Sequence, residues 1–269
     1  MPRTICAALL LSAAAAPALA NDTMANFDTG GLVFVRSDVV AIASEDLFIS
    51  EEEVRVAYQF RNESDRDVVS IVAFPMPDIY NSPYGDTAIP APGVDNFLSF
   101  TVEVDGTRIT PSLEQKAFSA ELDVTAELRA AAVPINPVSD ATMRALKRVD
   151  ESKLLNWETR GIVARDPFDD SDDAAWVPAW TMKSTYWWRT VFPASRTIPV
   201  KHRYKPSVGG TAGVTFFYDD KVGGPYLAEY RHKYCLDPGI ERAIANSARQ
   251  SGYPPYTESW IRYVLTTGG

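Results

Sequence analysis

Apolar and polar positions alternate along most of the chain, and the alternation predicts strands. In "EEEVRVAYQFRN" Val54, Val56, Tyr58 and Phe60 fall on one face and Arg55, Gln59 and Arg61 on the other, the period of a half-buried strand. Asn62 to Asp67 is a polar turn. The run Val68 to Phe74 is therefore expected to pair back antiparallel, as a central strand apolar on both faces. Prolines 75, 77, 83, 90 and 92 mark a long irregular loop, since proline cannot donate to a ladder. The alternation resumes with Leu98, Phe100, Val102 and Val104, followed by Asp105-Gly106, the signature of a two-residue hairpin turn with positive φ at both positions.

From "SAELDVTAELRAAAVP" to "LLNWETRG" the period becomes helical, with Ser139 or Asp140 a candidate N-cap. Asp237 and Pro238 open another helix, with Ile240, Ala243, Ile244 and Ala248 on one side, and "WIRYVLTTGG" reads as a closing strand. The pattern predicts a mainly β protein: an antiparallel β-sandwich with a small helical insertion, or alternatively two successive β-sandwich domains. Its divisions are a signal peptide over 1–20, a first sandwich part over 21–118, a helical insertion and acidic loop over 119–165, and a second part over 176–269.

The stretch "STYWWRTVFPASRTIPVKHRYKPS", residues 184–207, concentrates aromatic and basic side chains. Alternate residues from Trp180 put Met182, Ser184, Tyr186, Trp188, Thr190 and Phe192 on one face, and Ile198, Val200, His202 and Tyr204 share a face in the next strand. A large aromatic buries on the order of 150–250 Å², worth roughly 4–6 kcal/mol at about 25 cal/mol per Å², so this face is core. It takes His202 with it as a core histidine. Read as a hairpin, the two strands would set Trp188 against His202, Trp187 against Arg203 and Arg189 against Lys201. The other face then gathers Lys183, Trp187, Arg189, Lys201, Arg203 and Lys205 into one basic and aromatic strip, the candidate ligand-binding site.

Composition narrows the classes. The N-terminus "MPRTICAALLLSAAAAPALA" has a base, an apolar run and Ala-Leu-Ala ending at Ala20, the three parts of a secretory signal peptide. A periplasmic or secreted protein is expected, with no later segment long and apolar enough for a membrane span. Cleavage would remove Arg3 and no acid, making the formal charge of −9 one unit more negative. That balance argues against nucleic-acid binding, which relies on clustered cations. Cys235 would be the sole remaining cysteine, so no internal disulfide is expected.

The catalytic vocabulary is thin. His202 and His232 are the two histidines, and no Gly-x-Ser-x-Gly elbow or P-loop is present. Asp166, Asp169, Asp170, Asp172 and Asp173 form an oxygen-rich loop, yet it lacks the glycine and distal glutamate of an EF-hand. No cofactor or metal is expected.

The blocks "EDLFISEEEVRVAYQFRN", "AFPMPDI", "WTMKSTYWWRTVFPA", "HRYKPSVGG" and "YCLD" resemble, in this order, the bacterial exported proteins grouped as domain-of-unknown-function family 4424. The resemblance spans nearly the whole chain after Ala20. It implies an exported protein with no established active site to carry over. Such proteins continue past the position of Gly269, which implies a shortened chain and leaves open a second cysteine as partner to Cys235. The reading is thus an exported, non-catalytic envelope protein that binds a partner or an anionic ligand through the basic and aromatic strip. Two alternatives stand beside it: a periplasmic hydrolase of glycan or ester substrates using unidentified carboxylates, and a structural module stabilised by Ca²⁺.

Overall fold

The computed structural model describes residues 23–28, 31–35, 37–81, 87–171, 174–211, 213–214, 216–218, 221–251, 256–261 and 263. The candidate signal peptide, Asp172, Asp173 and most of the closing "RYVLTTGG" lie outside the described residues.

The regular elements up to Asp123 are all strands among the described residues: β1 (Thr23–Asp28), β2 (Gly31–Val35), β3 (Val40–Ile49), β4 (Val54–Asn62), β5 (Val68–Pro75), β6 (Ile79–Tyr80), β7 (Thr87–Ala88), β8 (Thr101–Val104), β9 (Thr107–Ile109), β10 (Ser112–Ser119) and β11 (Leu122–Asp123). Three helices follow, α1 (Thr125–Ala130), α2 (Asp140–Leu146) and α3 (Glu151–Thr159). After β12 (Val163–Arg165) and β13 (Trp176–Pro178) come the two longest strands of the second half, β14 (Thr181–Phe192) and β15 (Thr197–Tyr204). Then follow β16 (Val208–Gly210), β17 (Phe217–Tyr218), β18 (Lys221–Val222), α4 (Leu227–Lys233), α5 (Pro238–Ser251) and β19 (Ser259–Ile261).

Two antiparallel sheets make the sandwich. One runs β11-β10-β14-β5-β1-β2, with β6 also against β14, and the other runs β3-β4-β15-β8-β9. Their inner faces supply the main core: Val72, Phe74, Met182, Tyr186, Trp188 and Phe192 from the first sheet meet Val56, Tyr58, Phe60, Val102, Val200 and Tyr204 from the second. β4 and β15 alternate strictly between buried and outward positions, which is why each can belong to one layer only. At Asp105 and Gly106, φ is 49° and 76°, the two positive values a two-residue turn needs to join β8 to β9. The mainly β, sandwich-like fold is the one the alternation predicts.

Two expected hairpins are corrected. β4 does not pair with β5; it lies between β3 and β15, and β5 lies between β14 and β1. Nor does β14 pair with β15: Arg189 stands opposite Ile71, and Lys201 opposite Ala57 and Glu103. In both places the chain passes from one sheet to the other. Trp188 and His202 do meet, but across the core, with ring centroids 5.3 Å apart. His202 is 3% exposed and also faces Tyr58, Phe74 and Phe100 at 5.6, 4.9 and 5.4 Å.

The two corners lie side by side and are tied together. The Asn62 N–H donates to Arg196 O at 2.9 Å and the Ser195 N–H to Ser64 O at 2.9 Å. The Asn62 side-chain amide donates to Phe192 O and to Arg66 O, each at 2.8 Å. Its carbonyl oxygen accepts from the Ser64 N–H and hydroxyl at 2.9 and 2.7 Å.

At the opposite end, the three helices close over a second core of Leu128, Leu146, Leu154, Trp157, Ile162 and Trp180. Ser139 caps α2, accepting from the Thr142 N–H at 3.2 Å. Asp237 caps α5 through the Gly239 and Ile240 N–H groups at 2.6 and 2.9 Å, with Pro238 as the first helical residue. On α5, Ile244 and Ala248 are buried but Ile240 and Ala243 face outward, so the apolar stripe is narrower than its sequence suggests.

Candidate functional site

The six residues of the expected strip do not form one surface. Lys183, Trp187 and Arg189 leave the outer face of the β14 sheet, whereas Lys201 and Arg203 leave the outer face of the β15 sheet and Lys205 is exposed just past the end of β15. The cause is the corner at Pro193–Arg196: with β14 and β15 in opposite layers, their outward side chains point away from each other. On the first face Trp187 is half-buried between Ala73 and Ser112. Lys183 stands opposite Lys116 and 3.9 Å from Glu121. The Leu32 N–H on β2 donates to Glu114 Oε1 at 3.3 Å.

On the other face Lys201 and Arg203 join residues that the strip left out. A groove of about 600 Å³ runs across the sheet, lined by Phe48, Arg55, Glu103, Arg108, Lys201 and Arg203 among others. Its layout follows from the register. In one row Phe48, Arg55, Arg203 and Thr101 stand side by side on β3, β4, β15 and β8; in the next are Asp46, Ala57, Lys201, Glu103 and Arg108. Ala57 is the low point between taller neighbours.

Arg55 and Arg203 are direct cross-strand partners, an arrangement that costs free energy unless compensated. Glu53 compensates it: Oε1 is 3.0 Å from Arg55 Nε and Oε2 is 3.2 Å from Arg203 Nε. The Arg55 guanidinium also lies over the Phe48 ring, 4.3 Å from its centroid. Lys201 Nζ is 3.8 Å from Glu103 Oε1, and Arg108 faces Glu103 across β8–β9. Exposed pairs of this kind add only about 0–1 kcal/mol each to stability, so their main effect is to hold side chains in place. Four cations, Arg55, Arg108, Lys201 and Arg203, meet three carboxylates, Asp46, Glu53 and Glu103. The groove therefore carries a formal positive excess on a protein whose net charge is −9.

Other sites offer less. A crevice of about 340 Å³ between the proline-rich loop and α2 holds Asp95, Asp140 and Arg144, but its one hydroxyl nucleophile candidate, Ser139, is committed to capping α2. In the acidic loop Asp169 accepts from the Ser171 N–H and hydroxyl at 3.1 and 2.6 Å, and these hydrogen bonds lower its pKa. No group of three or more His, Cys, Asp or Glu suited to a metal is found among the described residues. Cys235 is exposed and free.

Fold and groove together define a mainly β, antiparallel sandwich with a mixed-charge, net-cationic outer face, and among the described residues no helix is long and apolar enough to cross a membrane. The chain belongs to the family described as Domain of unknown function (DUF4424), whose model matches residues 20–269. No curated protein matches it. Among solved structures it is similar to a provisionally named nutrient binding protein from Legionella pneumophila, at 15% identity and a TM-score of 0.30. That similarity covers 64% of this chain and 43% of the other, so the chain spans less than half the length of the structure it matches.

Proposed function

We propose that this is an exported, non-catalytic binding protein of the cell envelope that holds an anionic ligand in the groove of the β3-β4-β15-β8-β9 sheet. The reading rests on one observation: Arg55 and Arg203 stand opposite each other and share a single carboxylate, Glu53. Two guanidiniums with one counter-charge retain N–H donors and a unit of formal charge for an incoming carboxylate or phosphate, the geometry such groups recognise. The groove's volume is in the range of small-molecule sites. The N-terminal stretch 1–20, read as an export signal, supports a periplasmic or extracellular setting, where small anionic solutes and acidic envelope components are both within reach.

Calorimetric titration with inorganic phosphate at about 20 mM and about 150 mM NaCl tests it, using the full chain and the Arg203→Glu variant. The expected result is binding that weakens at the higher salt and disappears in the variant, whose unfolding temperature stays close to the parent's. Absence of binding, or binding indifferent to both salt and Arg203→Glu, overturns the reading.

A further inference from the structure

The Arg55–Glu53–Arg203 arrangement has a counterpart one row away. Lys201 and Arg108 flank Glu103, the first at 3.8 Å and the second opposite it in register. Each group sets two cations around one carboxylate and keeps one unit of formal positive charge. Arg203 and Lys201 are two residues apart on β15 and therefore project from the same face about 6.6 Å apart. Asp46, on the far side of Ala57 from Lys201, opposes an anion toward β3. The positive path consequently runs from Arg55 and Arg203 toward Lys201 and Arg108.

Resting on the anion-binding reading above, we infer that the groove's ligand is a dianion, with two carboxylate or phosphate groups separated by roughly two residues' rise along a strand. One anionic group sits on the Arg55–Arg203 pair and the other on the Lys201–Arg108 pair. The two contacts act together, since ordering the ligand at the first removes most of the entropic cost of reaching the second.

A ligand series separates this inference from the reading beneath it. Acetate, hexanoate, succinate and adipate are titrated into the full chain, and into Arg203→Gln and Arg108→Gln, at low salt. Both substituted side chains line the open groove, and thermal unfolding checks that each variant folds. Adipate is expected to bind roughly five- to tenfold tighter than hexanoate and tighter than succinate, whose carboxylates are too close to span the pairs. Either substitution should bring adipate down to the level of hexanoate. If hexanoate matches adipate, or succinate does, the two-point inference fails while the anion site stands. If none of the four binds, the two-point inference fails, and the anion site fails with it only if phosphate does not bind either.

Discussion

Asn62 gives the sharpest test of how the sandwich is held together. It is fully buried at the end of β4, and its side chain joins the corner that leads into β5 to the corner that leads out of β14. Replacing it with alanine leaves Phe192 O, a fully buried acceptor, without its donor and releases partly buried groups at Arg66 and Ser64. One buried orphan costs about 1–3 kcal/mol, and groups that regain water cost less. A total of about 2–3 kcal/mol follows, which for a domain of this size lowers the unfolding temperature by roughly 4–12 °C. Asn62→Asp is a stronger perturbation of nearly the same shape. It keeps the oxygen that accepts from Ser64 but points a carboxylate oxygen, in place of two N–H donors, at two carbonyls that now sit 2.8 Å away. An unpaired buried charge brings the cost to about 3–5 kcal/mol. Burial raises the pKa of the new carboxyl, so the deficit shrinks as the pH falls through that raised value and the group becomes a donor. Denaturant titrations of the three proteins at neutral and acidic pH measure the order parent, alanine, aspartate. An aspartate variant as stable as the parent at neutral pH would refute the cross-corner role of the amide.

Three other outcomes follow from the same structure. Trp188→Ala, in the buried ring cluster around His202, should cost about 3–5 kcal/mol by denaturant unfolding, whereas Trp187→Ala on the outer face should cost clearly less. Glu127 accepts from Trp157 Nε1 at 2.7 Å and Arg160 Nη1 at 2.8 Å; partial burial pushes its pKa up, but the hydrogen bonds from Trp157 and Arg160 and the Arg160 charge outweigh this and hold it below the usual glutamate range. Its contribution is therefore present above the unfolded-state value of about 4.3 and lost as the pH falls through the lower folded value. Glu127→Gln should be about 1–2 kcal/mol less stable than the parent at neutral pH, with the gap closing in strong acid. A Cβ on Gly209 would overlap the Trp260 indole, so Gly209→Ala should displace it, cost about 1–3 kcal/mol and change the tryptophan emission without altering anion binding in the groove.

What the sequence made legible, and what it did not, separates along one physical line. Side-chain parity is a property of a single strand, and it was readable: Tyr186, Trp188, His202 and Tyr204 point inward as the alternation required. The turn at Asp105-Gly106 and the cap at Ser139 were readable for the same reason, since each depends on a few adjacent residues. Partnership between strands depends on which apolar face lies against which, and parity is blind to that. Two consecutive strands, each with a mostly apolar face, satisfy the same pattern as a hairpin in one sheet or as facing strands in two sheets. The choice is decided by what else must be buried: β14 and β15 side by side would still need a second layer, whereas β14 against β15 across the core supplies each with its cover. That decision splits the predicted strip. Lys201 and Arg203 keep company with Arg55, a residue already visible on the polar face of β4, and with Glu53, Phe48 and Arg108, which no local pattern connects to them. The groove is therefore a consequence of register, since slipping β4 by one residue against β15 would bury Arg55 and remove the shared carboxylate. Its cations gain their meaning from that neighbourhood, because the same arginines spaced along an isolated strand would carry charge without a place to put it.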